Sequence, residues 1–167
     1  MIKKLPFYSI VVFALLLQAC VSAKLVSNKQ EGYTKKLNKI YVIVSGTKKS
    51  KSFFNQFSTT LQTKLKEKSV ESFVHYRNEL SVDSDSEVNA RINEYNPQAL
   101  MLIRQTVVHS TNGMIDGGTF EMSIIDGETK KPVWKAEFEV YGAMGLSNAV
   151  ETGVKKLCDK LTEDQII

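Results

Sequence analysis

The run Lys39-Ile40-Tyr41-Val42-Ile43-Val44-Ser45-Gly46 decides the fold. It is apolar at consecutive positions and rich in β-branched residues, so both its faces need cover, as in a central strand, and Gly46 punctuates its end. The period then changes. Phe53, Phe54, Phe57, Leu61 and Leu65 recur at the spacing of one helix face, with Lys64, Lys66 and Lys68 near the end, where cations complement the helix dipole. A buried strand followed by an amphipathic helix is the first half of a crossover. Val70 to Arg77 supplies its second strand, with Val70, Ser72, Val74 and Tyr76 alternating against Glu71, Phe73, His75 and Arg77.

A second crossover follows. Ser84 and Glu87 have capping-box spacing and start a short helix with an inner stripe of Val88, Ile92 and Tyr95, which Asn96-Pro97 stops. Ala99-Leu100-Met101-Leu102-Ile103 is apolar throughout, and Arg104 to His109 extends it into a long strand. Asn112-Gly113 and Asp116-Gly117-Gly118 carry turn chemistry. Phe120, Met122 and Ile124 alternate inward on the next strand, Asp126-Gly127 turns the chain, and Trp134, Ala136, Phe138 and Val140 alternate on the one after it. Ser147-Asn148 offers a cap for a last helix whose stripe is Val150, Val154, Leu157, Cys158 and Leu161. The expected architecture is an α/β (α+β) domain over residues 37–167, with elements in the order β-α-β-α-β-β-β-α. Its mixed five-stranded sheet carries the packed helices.

Upstream, Lys3 and Lys4 precede an apolar run from Ile10 to Leu17, too short to span a bilayer, and a small residue, Ala19, precedes Cys20. Residues 1–19 read as a signal peptide. Leu17-Gln18-Ala19-Cys20 resembles the lipobox of bacterial lipoproteins. That resemblance implies a diacylglyceryl group on the Cys20 thiol, cleavage before it, and attachment to the membrane through that lipid. Val21 after the cysteine favours the outer membrane by analogy with lipoprotein sorting, with the domain facing the periplasm. Residues 20–36 show no sustained period and read as a flexible lipidated tether, with an average reach of about 22 Å as a random coil. The whole chain carries a net charge of +4; removing residues 1–19 takes two lysines and no acid, leaving about +2, a balance that argues against nucleic acid. Cys158 is then the one cysteine without lipid, so the domain closes no internal disulfide.

The element order behind a lipobox resembles that of small envelope domains: the amino-terminal domain of TolB, the LpoB activators and the CsgG-like lipoproteins. The segment Ile125-Asp126-Gly127-Glu128-Thr129-Lys130-Lys131-Pro132-Val133-Trp134 looks like the hairpin near their penultimate strand, with Lys131-Pro132 in place of the usual glycine-lysine pairing. The resemblance implies a non-enzymatic domain without a cofactor that binds a periplasmic or outer-membrane protein.

Residue types that carry chemistry are present but not in diagnostic spacing. A hydrolase would take His75 or His109 as base, Asp83, Asp85 or Asp116 to orient it, and Ser110 or Ser81 as nucleophile, yet there is no Gly-x-Ser-x-Gly elbow. Asp83-Ser84-Asp85-Ser86-Glu87 is acidic enough to suggest calcium but lacks the EF-hand loop's glycine and distal glutamate, so no metal site is expected. Lys48, Lys49 and Lys51, between a strand and a helix amino terminus, are candidate contacts for an anion, with a solvated basic loop as the plainer account. Cys158 and Trp134 fall on apolar stripes and read as core. The sequence favours an interaction module, with a carrier of a small apolar or anionic ligand and an envelope hydrolase as alternatives.

Overall fold

The computed structural model describes residues 21–111, 113–142 and 145–167. Residues 1–20, with the leader and Cys20, lie outside the described residues. Its elements are β1 (Val21–Lys29), β2 (Lys39–Ser45), a 3-10 turn (Lys48–Ser50), α1 (Lys51–Glu67), β3 (Glu71–Arg77), α2 (Asp85–Tyr95), β4 (Ala99–Thr111), β5 (Met114–Asp126), β6 (Pro132–Gly142) and α3 (Leu146–Glu163). The strands form one mixed sheet in the order β1-β6-β5-β4-β2-β3, with β2 parallel to β3 and β4 and every other pair antiparallel.

The α/β architecture expected from the pattern is present, with six strands instead of five. The extra strand comes from the stretch read as a tether. β1 pairs with β6 along nine residues, from Val21 opposite Gly142 to Lys29 opposite Trp134, so the fold includes residues 21–29, upstream of the expected boundary at 37. Two other local expectations change. Asp116, Gly117 and Gly118 lie inside β5, and the reversal is made at Gly113 (φ +80°) alone of these glycines. Gly117 is there for proximity: a Cβ on it would stand 2.0 Å from the Val140 carbonyl oxygen. The last helix starts at Leu146 with Gly145 as its N-cap, and the Ser147 hydroxyl donates to Gln56 Oε1 (3.3 Å) instead of capping it.

α1 and α3 cover the inner face of the sheet. Phe53, Phe54, Phe57, Leu61 and Leu65 of α1 are buried there, with Val150, Val154, Leu157, Cys158 and Leu161 of α3. Between them and the sheet, Phe53 stacks on Phe120 (ring centroids 5.5 Å apart), which in turn meets Phe138 at 5.9 Å. Each such ring contributes about 2–3 kcal/mol by burial. α2 packs on the outer face over β2 and β3, where Tyr95 contacts Tyr41 (5.8 Å) and Phe73 (6.0 Å), and its N-terminus carries the Ser84–Glu87 capping box. The β5–β6 turn is organised by Asp126, whose Oδ1 accepts from the amides of Thr129 (2.8 Å) and Glu128 (3.0 Å). Those amides, with Lys35 beside the carboxylate, outweigh burial and hold its pKa at about 2.

Asp164, just past α3, ties the first and last parts of the chain together. Its Oδ2 accepts from Ser27 Oγ (2.6 Å) on β1 and Trp134 Nε1 (2.7 Å) on β6, its Oδ1 faces Lys160 Nζ (2.9 Å), and its backbone oxygen accepts from Lys29 Nζ (2.8 Å). Burial opposes ionisation, but the hydrogen bonds from Ser27, Trp134 and Lys160 prevail and hold the carboxyl below its ordinary pKa. A carboxyl lowered on folding contributes stability that is complete above its unfolded pKa of about 3.9 and is lost as pH falls through the folded value.

Asp164→Ala strands the Trp134 indole and the Ser27 hydroxyl, and an expected loss of about 2–3 kcal/mol in urea unfolding follows. Hydrogen exchange should accelerate over residues 21–29 well before β4 and β5 respond; unchanged protection of β1 would show that the carboxylate does not hold it. In the unsubstituted protein the same strand should lose protection as pH falls below about 4. A second expectation concerns Cys158, whose thiol burial pushes to about 12. It should resist maleimides in the native state at pH 8 and react at once in denaturant.

Candidate functional site

Strand register places one set of loops together. Val21 lies opposite Gly142, Tyr141 opposite Gly117, and Gly117 opposite His109, while Ser45 lies level with Arg77 and Arg104. The start of β1 therefore lies toward the same end of the sheet as the ends of β2, β3, β4 and β6, although β2 and β3 stop level with Val26, five residues short of Val21. The loops at that end are 46–50, 78–84, the turn at Gly113 and the approach to α3 at Gly145.

These loops are fixed to one another. Gly46 N donates to Arg77 O (3.1 Å), and a Cβ on Gly46 would fall 2.1 Å from the Phe54 ring, so the chain leaves β2 pressed against α1. Tyr76 Oη donates to Thr47 O (2.7 Å), and the Glu79 carboxylate accepts from Lys48 N (3.1 Å to each oxygen). Buried Ser50 donates to Gln105 Oε1 at 2.6 Å. β4 continues to Thr111 after β2 has stopped at Ser45, so the edge of β4 beyond Arg104 has no strand beside it. The resulting cleft has a volume of about 1150 Å3 and is lined by Lys49, Phe53, Glu79, Val108, Asp116 and Gly142, among others. Asp116 is 6% exposed, and its Oδ1 has no partner among the described residues.

The residues singled out by sequence divide over the molecule. Lys48 and Lys49 form the exposed 3-10 turn and Lys51 opens α1; Lys49 lines the cleft, and none of the three makes an ion pair among the described residues. Ser110 and Asp116 line the same cleft, but the histidines a hydrolase needs are elsewhere. His109 turns to the outer face, against Tyr141 with ring centroids 6.3 Å apart. His75 sits under α2, where its Nε2 is 3.2 Å from Asp83 Oδ2 in an alignment too poor for a hydrogen bond. Burial lowers the His75 pKa, the Asp83 charge opposes this, and Arg91 and Arg77 reinforce it, so the ring is neutral near pH 7. Ser81 accepts from Asn78 N (2.9 Å) inside its own loop. No base, acid and nucleophile are assembled from these candidates.

The acids of the 83–87 segment are engaged with cations or with the helix cap. Asp83 lies 3.4 Å from Arg91 and Asp85 2.9 Å from Arg77, and among the described residues no three metal-ligating side chains converge. Trp134 is core, as its stripe implied, and its indole partner is Asp164. Cys20 lies outside the described residues. Sequence reasoning missed the apolar residues Leu80, Val82, Val107 and Val108, all exposed at this same end. Leu80 and Val82 stand in a polar loop and Val107 and Val108 on β4, and no linear pattern groups them.

No family model matches the chain, and no curated protein matches it. Among solved structures it is similar to PelC from Paraburkholderia phytofirmans, solved as a dodecamer, at 12% identity and a TM-score of 0.54, over 87% of this chain and 99% of that one. A variant of the same PelC, also a dodecamer, matches at 11% identity and 0.50, over 89% and 100%. At these identities the likeness is one of fold.

Proposed function

We propose that this protein is a lipid-anchored cell-envelope lipoprotein at the outer membrane, facing the periplasm. It acts there without catalysis, as an interaction module that assembles from copies of itself and docks a protein partner. The observation that carries this reading is the sheet's two unlike edges. β1 and β3 each pair on one side only, with Val26 exposed on one and Phe73 on the other. A contact between unlike edges is head-to-tail, the kind that closes into a ring, and fold likeness to a dodecameric protein supports it.

Strand direction adds a geometric argument. β1 begins at the end of the sheet where β3 finishes, so β1 of one copy lying beside β3 of the next runs antiparallel with both copies the same way up. The starts of β1 then all point to one side of the assembly, as a flat membrane requires. The lipid anchor itself rests on the lipobox Leu17-Gln18-Ala19-Cys20.

A carrier is the second reading, favoured by the cleft and by the buried Asp116 Oδ1 without a partner. Denaturing mass spectrometry of the purified protein should release no small molecule; a stoichiometric one would favour the carrier.

For the leading reading, native mass spectrometry of the full lipidated protein in mild detergent should show an oligomer, and its amino-terminal peptide a diacylglyceryl group on Cys20. Val26→Glu should leave the urea midpoint nearly unchanged, since the side chain is 61% exposed, and shift the assembly to monomers. A monomer at every concentration overturns self-assembly, and an unmodified amino terminus overturns the anchor.

A further inference from the structure

Backbone groups along an edge strand alternate between its one neighbour and the open side, and bonds already made show which are which. Gln30 N donates to Val133 O (2.8 Å), so the even-numbered residues of β1 turn to β6 while Ala23, Leu25 and Ser27 turn to the open side. Glu71 N donates to Asn38 O (2.8 Å) and Arg77 O accepts from Gly46 N (3.1 Å), so the odd-numbered residues of β3 turn to β2. Ser72, Val74 and Tyr76 therefore present their backbone to the open side, where the Ser72 oxygen accepts from Gln62 Nε2 at 3.3 Å. The side chains of these residues share the sheet's inner face: Ala23, Leu25, Val74 and Tyr76 pack against the core and are half-buried. Two such edges pair, with the inner face continuous across the joint, only when Ala23, Leu25 and Ser27 oppose members of the set Ser72, Val74 and Tyr76. That condition leaves registers two residues apart.

Side chains choose among those registers. With Leu25 opposite Val74, residues 22–28 run antiparallel to all seven residues of β3, Ala23 meets Tyr76 and Ser27 meets Ser72. On the outer face Val26 meets Phe73, Lys24 meets His75 and Asn28 meets Glu71. Among the described residues, Val26 (61% exposed) and Phe73 (43%) are the large apolar side chains that the edge strands leave exposed. This register covers each with the other, in a pair without mutual hydrogen bonds, where facing side chains stand closest. Lys24 faces no like charge, since His75 is neutral near pH 7. A slip of two residues one way sets Lys24 against Arg77 and Val26 against His75; the other way sets Val26 against Glu71 and Lys24 against Phe73.

Resting on the self-assembly reading, we propose that the partner of the β3 edge is β1 of a second copy, held in the register that puts Leu25 opposite Val74 and Val26 opposite Phe73. Within one copy Val74 is level with Lys29, through Val42, Met101, Ile124 and Trp134. Meeting Leu25 instead offsets successive copies by about four residues, or about 13 Å along the strands, over a six-stranded width of about 29 Å. A ring closed in this way has strands leaning about 25° from its axis.

The test is disulfide formation in the full lipidated chain in mild detergent, with Cys158 left in place because it is buried. Val26→Cys together with Phe73→Cys should give a ladder of covalent multimers on oxidation, in several-fold higher yield than the slipped pairs Lys24→Cys with Phe73→Cys and Asn28→Cys with Phe73→Cys. Val26→Cys alone should give no dimer. In the unsubstituted oligomer the amides of Leu25 and Val74 should exchange several-fold more slowly than in the Val26→Glu protein, a readout that does not depend on assembly of the cysteine variants. A ladder strongest from a slipped pair overturns the register and leaves edge-to-edge assembly standing. An oligomer in native mass spectrometry whose Leu25 and Val74 amides exchange freely, with no ladder from any pair, overturns the contact and leaves self-assembly standing. A dimer from Val26→Cys alone overturns it in favour of like edges meeting. A monomer at every concentration removes the contact and self-assembly together.

Discussion

One carboxylate closes the structure. Asp164 comes after the last helix, yet it receives the hydroxyl of Ser27, 137 positions earlier, and the indole of Trp134 on the strand between them. β1 is an edge strand paired on one side only, with little inward apolar surface of its own, so this acceptor gives it a second hold. With it, the first strand, the last strand and the end of α3 form one unit, and the amino-terminal end of the domain has a fixed position. The proposed assembly through β1 and β3 depends on that position.

The parts of the fold that were legible in the sequence are those whose burial is apolar. β2 reads as a central strand because every side chain from Ile40 to Val44 meets protein, and α1 and α3 read as helices because their buried residues keep a 3.6-residue period. β1 failed this test for a physical reason. Its inward positions are Ala23, Leu25 and Ser27, and the exposed Val26 lies between the last two, so apolar character does not alternate. Ser27, half-buried, has its hydroxyl satisfied by Asp164, and a partner so distant leaves no local trace. Asp116-Gly117-Gly118 misled in the opposite sense. Gly117 serves the close approach of β5 to β6 and Gly118 its approach to β4, a requirement set by tertiary structure and identical in composition to a turn.

Much less of the candidate site was legible. The lysines at 48, 49 and 51 were visible as a basic loop, and the structure places them beside a cleft and a set of exposed aliphatic residues that no linear reading groups. The chemistry suggested by isolated histidines, serines and aspartates dissolves for the same reason. Ser110 and Asp116 do line one cleft, but strand alternation sends His109 to the opposite face, and His75 is spent in packing α2 against the sheet. Residue types survive in a sequence list, whereas the facing of a strand decides whether they act together.

The nine-residue pairing of β1 with β6 also has a mechanical side. A pull entering at Val21 runs along β1, at right angles to its backbone hydrogen bonds with β6, so those bonds are loaded in shear and resist as a group instead of opening one by one. With the proposed anchor at Cys20, tension from the envelope would load all of those bonds together. The first strand thus serves as a clamp at the point where the chain leaves the fold.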